Sequence, residues 1–298
     1  MLDLTFLDYQ KVFGRNRLKI FDVYGTTCPI TDFAILLGGR AENIEKSKTG
    51  SWWLYATGWD NDARAVLPKG KGFYLSVGSR FVAARLALSY SSIKLSFSNE
   101  VREESGIKEI EYGEYPQWLV DKQYSNELEK AYNGGNMRKT GKSYTTDSIN
   151  WHHRDTRFKA KQHIEYEYKG KKYIRFVNEQ YRDIGEFLSD GRAIENGQVY
   201  WVNVEPVVWL VDEENNIAIS KYLLFSGVQF TSVKNRYTDF KKTDIKQFMD
   251  NYLSKEIECL NTAQLTEDKL LDIDSIFEEA LFRMNEISKD NPKIKVLK

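Results

Sequence analysis

The chain has 298 residues, 41% hydrophobic and 14% aromatic, which is enough apolar surface to build a core and excludes disorder on a large scale. Its 43 basic and 43 acidic residues cancel, so no excess charge draws it to nucleic acid or to an anionic membrane, and nucleic acid is not expected as a direct ligand. Two domains are expected at this length, and Cys28 and Cys259, outside any CxxC pair, supply neither a disulfide framework nor a thiolate metal site.

The amino-terminal residues interrupt their apolar positions with Asp3, Asp8 and Lys11, unlike a signal peptide. No run reaches the roughly 18–20 apolar residues of a membrane span. A cytoplasmic or virion-associated protein without a membrane partner is the expectation. Leu4, Leu7, Val12, Leu18 and Phe21 are spaced for one or two short helices ending at Gly25. The run from Ile30 to Leu37 is too short for its period to choose between helix and strand; Gly38 and Gly39 close it.

From Ser51 to Ile93 short aromatic runs alternate with Gly58, Gly70, Gly72 and Gly78, which predicts closely spaced strands joined by turns. Trp52 and Trp53 are neighbours, so on a strand they point to opposite faces, and one of them is expected to face outward. Residues 96–108 are polar and aperiodic and read as a linker between an aromatic, glycine-rich module over 1–95 and a second domain over 109–298.

The second part opens with a predicted strand, turn and strand around Pro116, then a brief helix over Asn126–Tyr132 stopped at Gly134 and Gly135. Polar residues from Asn136 to Lys161 predict a long loop. Two hairpins follow, one turning at Lys169-Gly170-Lys171 and one joining Val199–Val211 to Ile217–Ser220, with Pro206 marking a bend or a strand start. Ile245, Phe248, Met249, Tyr252 and Leu253 form the stripe of an amphipathic helix capped by Thr243 or Asp244, and a further helix is predicted over Asp268–Ile287. The fold class expected is α+β and β-rich: an amino-terminal module, then a mixed antiparallel-sheet domain with carboxy-terminal helices.

His152, His153 and His163 lie near Asp155, Glu165 and Glu167, but adjacent histidines on an extended segment diverge, so no shared metal is expected. The oxygen-rich Gly58–Asp62 lacks the spacing and the later glutamate of an EF-hand loop and reads as a solvated turn. No nucleophile elbow, zincin helix, phosphate-binding loop or dinucleotide fingerprint is present, so binding is favoured over catalysis and no cofactor is expected. An enzyme with an unrecognised acidic site stays open as an alternative. Trp53, Tyr55, Trp59, Asp60, Asn61, Phe73, Tyr74, Arg80 and Phe81 are the candidate binding residues, because large rings interspersed with polar groups have the chemistry of recognition loops.

The stretches Ile30–Gly39, Thr49–Trp53, Asp60–Arg64 and Ala84–Ile93, with Glu111–Gln117, Lys139–Ser148, Val204–Asp212 and Phe225–Phe230 in the second part, resemble an uncharacterised family of bacterial and phage or prophage genomes. The glycine-rich aromatic stretch that ends in Ala84-Arg85-Leu86-Ala87-Leu88 also resembles the closing section of the C-type-lectin-like fold. That fold is shared by formylglycine-generating enzymes and the variable proteins of diversity-generating retroelements. The enzyme branch uses a cysteine pair, which this stretch lacks. The variable-protein branch implies a phage- or prophage-type protein that binds a protein or glycan; an inhibitor of a bacterial defence protein is the alternative.

Overall fold

The computed structural model describes residues 2–44, 47–57, 61–94, 99–147, 159–178, 187–232 and 239–257. Asp8 caps α1 (Tyr9–Phe13) by accepting from the Lys11 N–H at 2.9 Å, and α2 (Ile20–Val23) ends before Gly25, whose φ of 68° turns the chain. The run that periodicity left undecided is helical. Thr31 accepts from the Ala34 N–H at 3.2 Å and starts α3 (Asp32–Leu36), every residue of which is buried. Burial on all sides removes the polar face that would have revealed the period.

β1 (Ala41–Ile44) and β2 (Ser47–Gly50) form a two-stranded ribbon. β3 (Trp52–Thr57), β4 (Asp62–Val66) and β5 (Gly72–Ser76) follow as a three-stranded antiparallel sheet with β5 at one edge. Both tryptophans of β3 are fully buried, against the expectation that one would face out. They do point to opposite faces, but each face has its own apolar cover. Phe21 stacks on Trp52 at 6.3 Å between centroids, and Phe230 lies 5.2 Å from Trp53.

The large sheet is organised on its longest strand, β12 (Val199–Asp212). One edge of β12 pairs with β8 (Ile107–Leu119); the other is shared end to end by β11 (Lys171–Val177) and β13 (Ile217–Ser220). Beyond β11 lie β10 (Ala160–Tyr168) and β9 (Arg138–Asp147); beyond β13 lies β6 (Ala87–Ser89). β7 (Asn99–Glu104) pairs with β8 alone. All these strands pair antiparallel, and the two predicted hairpins are present. Lys169 and Gly170 have φ of 50° and 74°, the pair of positive values that a two-residue hairpin turn of the right twist requires. Pro206 sits inside β12 rather than at its start, next to a register shift between Pro206 and Val208.

The expected loop over Asn136–Lys161 is occupied through Asp147 by β9. Among the described residues it pairs with β10 alone; Arg138, Lys139 and Gly141 are exposed while Tyr144, Thr145 and Thr146 are buried, and no apolar period marks it. Where 96–108 read as a linker, β7 and the start of β8 pair instead, for the same reason: a polar edge strand looks aperiodic. A single apolar cluster draws side chains from both sides of that stretch, from Leu2 through Trp52 to Trp209 and Ile257. A smaller one lies under α4 (Lys122–Asn133), which begins earlier than predicted because Asp121 caps it, accepting from the Tyr124 N–H at 2.9 Å. Thr243 caps α5 (Asp244–Phe248), which continues through a π-helical turn, Met249–Leu253, into α6 (Ser254–Ile257). The predicted helix over 268–287, His152 and His153 lie outside the described residues. Among the described residues no helix is long and apolar enough to cross a membrane.

Candidate functional site

Five large hydrophobic side chains are exposed among the described residues: Tyr55, Phe73, Tyr74, Ile164 and Phe187. Three of them stand on the small sheet, Tyr55 on β3 at 44% exposure and Phe73 and Tyr74 on β5 at 58% and 37%. Phe73 lies opposite Ala65 and Tyr74 opposite Arg64, so the two rings project to opposite faces of the edge strand. A ring therefore flanks, on each side, the edge of β5 that pairs with no strand among the described residues.

Arg64 fixes one of these rings. Its Nε donates to the Tyr74 hydroxyl at 2.9 Å, and its guanidinium lies 4.4 Å from the Tyr9 centroid and 5.2 Å from that of Tyr74. This places a cation between two aromatic faces, an arrangement worth about 0.5–1 kcal/mol at a solvated site. Gly72 makes room for it. A Cβ at Gly72 would meet the Tyr9 and Phe13 rings at 3.1 and 3.2 Å, so glycine lets α1 close over the strand. Tyr55 is held from below by Phe240, edge to face at 4.7 Å, and its backbone N–H donates to the Leu7 carbonyl at 2.8 Å. Lys69 and Lys71 are exposed in the β4–β5 turn and give the rim a positive charge.

The remaining candidates divide by burial. Asn61 is exposed, and its carbonyl accepts from the Val77 N–H at 2.8 Å. Phe81 is half-buried beneath the Arg40 guanidinium, 4.6 Å from the ring centroid. Trp53 and Arg80 are buried and out of reach of a partner; Arg80 is an internal ion-pair residue, bonded through Nη1 to Asp147 Oδ2 at 2.5 Å and to the Gly227 carbonyl at 3.1 Å. Trp59 and Asp60 lie outside the described residues.

Several buried ionisable groups elsewhere have structural partners. The Arg85 guanidinium lies 5.4 Å from the Phe21 ring and 5.2 Å from that of Trp52, with Nε donating to the Ser220 carbonyl at 3.2 Å; burial pushes its pKa down. Burial also pushes the Cys28 thiol up to about 11, so it is protonated and unreactive at neutral pH. Tyr144 donates to Glu165 at 2.6 Å, and His163 pairs with the Thr146 hydroxyl at 2.9 Å against Phe176. Among the described residues no three His, Cys, Asp or Glu side chains converge as a metal site.

Glu256 on α6 accepts from the Thr145 N–H at 2.7 Å, while burial raises its pKa from 4.5 to about 7, against the lowering effect of that bond and of Lys142. The folded protein thus binds this proton more tightly than the unfolded chain. Its contribution to stability is full below about pH 4.5 and is lost as pH rises toward 7, a change on the order of 3 kcal/mol. Glu256→Gln is expected to flatten that dependence, measured as the difference between urea midpoints at acidic and at mildly basic pH.

No protein-family model matches the chain, no curated protein matches it in sequence, and no solved structure matches its fold.

Proposed function

We propose that this is a recognition protein of phage or prophage type that holds a protein or glycan partner against the edge of the β3–β4–β5 sheet. Phe73 and Tyr74 are its anchors, with Tyr55 and Asn61 beside them. The observation that carries this reading is the pair of exposed rings on opposite faces of one edge strand. An edge strand offers unpaired N–H and C=O groups to an added strand, and flanking side chains select what is added. That geometry favours a protein partner with an extended segment over a glycan, and the basic rim of Lys69, Lys71 and Arg64 favours an acidic one. A lectin-like character of the first 95 residues belongs to the same proposal; the small antiparallel β3–β4–β5 sheet supports it, while β6 pairs with β13 in the large sheet. Inhibition of a bacterial defence protein is the form this function takes where the partner is such an enzyme.

Burying one such ring contributes about 1.5–3 kcal/mol. The double substitution Phe73→Ser with Tyr74→Ser is therefore expected to weaken binding about 30-fold or more, ~2 kcal/mol, without lowering the melting temperature appreciably. The experiment is affinity capture from host lysate with the wild-type chain, the double variant and Ile164→Ser, which removes an exposed apolar group elsewhere. A partner retained by the wild type and by Ile164→Ser but lost by the double variant fits the reading. Equal capture by all three rejects it.

A further inference from the structure

A second candidate site is lined by none of Tyr55, Asn61, Phe73 and Tyr74. A cleft of about 340 Å³ opens between the β1–β2 ribbon, the segment entering α3 and the carboxy-terminal end of β8. Pro29 and Ile30 form its apolar part, Trp118 supplies an aromatic wall, and Asn43, Ser47 and Ser189 supply polar groups. Among the described residues Lys48 is the one charged side chain in the lining, and no described carboxylate lines it.

The walls are held by a buried group that the recognition surface does not use. Asp32, at the first position of α3, is fully buried. Its Oδ1 accepts from the Ser189 N–H and its Oδ2 from the Ser189 hydroxyl, both at 2.6 Å, and Oδ2 also accepts from the Leu119 N–H at 3.1 Å. One carboxylate therefore ties the loop carrying Ser189 and the backbone next to Trp118 to the same helix end. Trp118 is further fixed by Tyr222, edge to face at 5.4 Å. Lining groups locked by surrounding bonds are the mark of a pre-formed small-molecule site, and the volume is at the lower end of such sites, roughly 300–1,000 Å³.

The polarity of the lining selects the ligand. An ammonium has three donors; Lys48 directs one to the Phe187 carbonyl, leaving others for an anion. Ser189 spends its hydroxyl proton on Asp32, so toward the cleft it can only accept, which suits an N–H or O–H of a ligand. The indole of Trp118 suits a flat ring face. We propose that this cleft binds a small molecule in which a ring with N–H or O–H donors carries one anionic group, the chemistry shared by nucleoside monophosphates and uronic acids.

The test is calorimetric titration of the full chain with adenosine monophosphate against adenosine, and with glucuronate against glucose. One charged probe is expected to bind about tenfold or more tightly than its uncharged counterpart, and Lys48→Met to abolish that preference. Which charged probe binds identifies the source. Trp118→Ala is expected to remove binding of both members of that pair; should this variant not fold, Lys48→Met decides alone. The proposal is overturned if neither charged probe binds at millimolar concentration, if charged and uncharged probes bind alike, or if Lys48→Met leaves the preference intact. Because Phe73 and Tyr74 do not line the cleft, their substitution leaves these titrations unchanged, and the two sites stand or fall separately.

Discussion

Replacing Arg80 by alanine lowers the stability of the protein by about 3–5 kcal/mol, the range for breaking a buried ion pair from one side. The side chains of Arg80 and Asp147 are 9% and 3% exposed, and the guanidinium also caps the Gly227 carbonyl. Removing the arginine takes a buried cation away from Asp147, whose Oδ1 also accepts from the Lys159 N–H at 3.1 Å. The penalty comes mainly from a buried carboxylate that has lost its guanidinium. Arg80→Met with Asp147→Asn is therefore expected to cost clearly less than the two single substitutions added together, since the double variant removes both charges of the pair at once. Denaturant titration of the four proteins in the cycle measures this. Unchanged stability of Arg80→Ala combined with lost partner binding would return Arg80 to the recognition surface.

Trp53→Ala is expected to cost about 3–5 kcal/mol as well, by a different cause. The indole is fully buried against Phe230, and truncating it opens a cavity that the two covered faces of the small sheet cannot close. Trp53→Phe is the informative partner. The Trp53 Nε1 is buried with no hydrogen-bond acceptor among the described residues, so phenylalanine removes an unsatisfied donor along with part of the ring. It is expected to cost less than half as much as alanine in the same thermal or urea unfolding experiment. A phenylalanine variant as unstable as the alanine one would mean that the N–H is satisfied in solution.

Both residues show where sequence reasoning stopped. Arg80 has no local mark of burial, because its partner Asp147 is far along the chain on a strand whose polar composition read as a loop. The alternation argument for Trp52 and Trp53 was sound in geometry. It failed because alternation says which faces two neighbours take and not whether both faces are covered; Phe21 and Phe230 come from opposite ends of the described chain. The hairpins were legible because their information is local: alternating types and a glycine at the turn. Edge strands β7 and β9 were not, since each pairs with one described neighbour and its composition is largely polar.

The candidate surface was legible in part for a similar reason. Glycine-rich turns placed Phe73 and Tyr74 on a short strand, but their exposure follows from β5 lying at the edge of the sheet, which pairing order alone decides. The cleft at Trp118 left no sequence signal at all. Its lining comes from segments around residues 29, 43, 48, 118 and 189, of which Asp32 ties the last two to α3.

The most direct measurement of the central claim is amide hydrogen exchange on the chain alone and bound to its captured partner. Strand addition at β5 predicts that Gly72–Ser76 gain protection on binding, whereas the edge strand β9 exchanges as before. Protection confined to other segments, with β5 exchanging at its free rate in the complex, would contradict it.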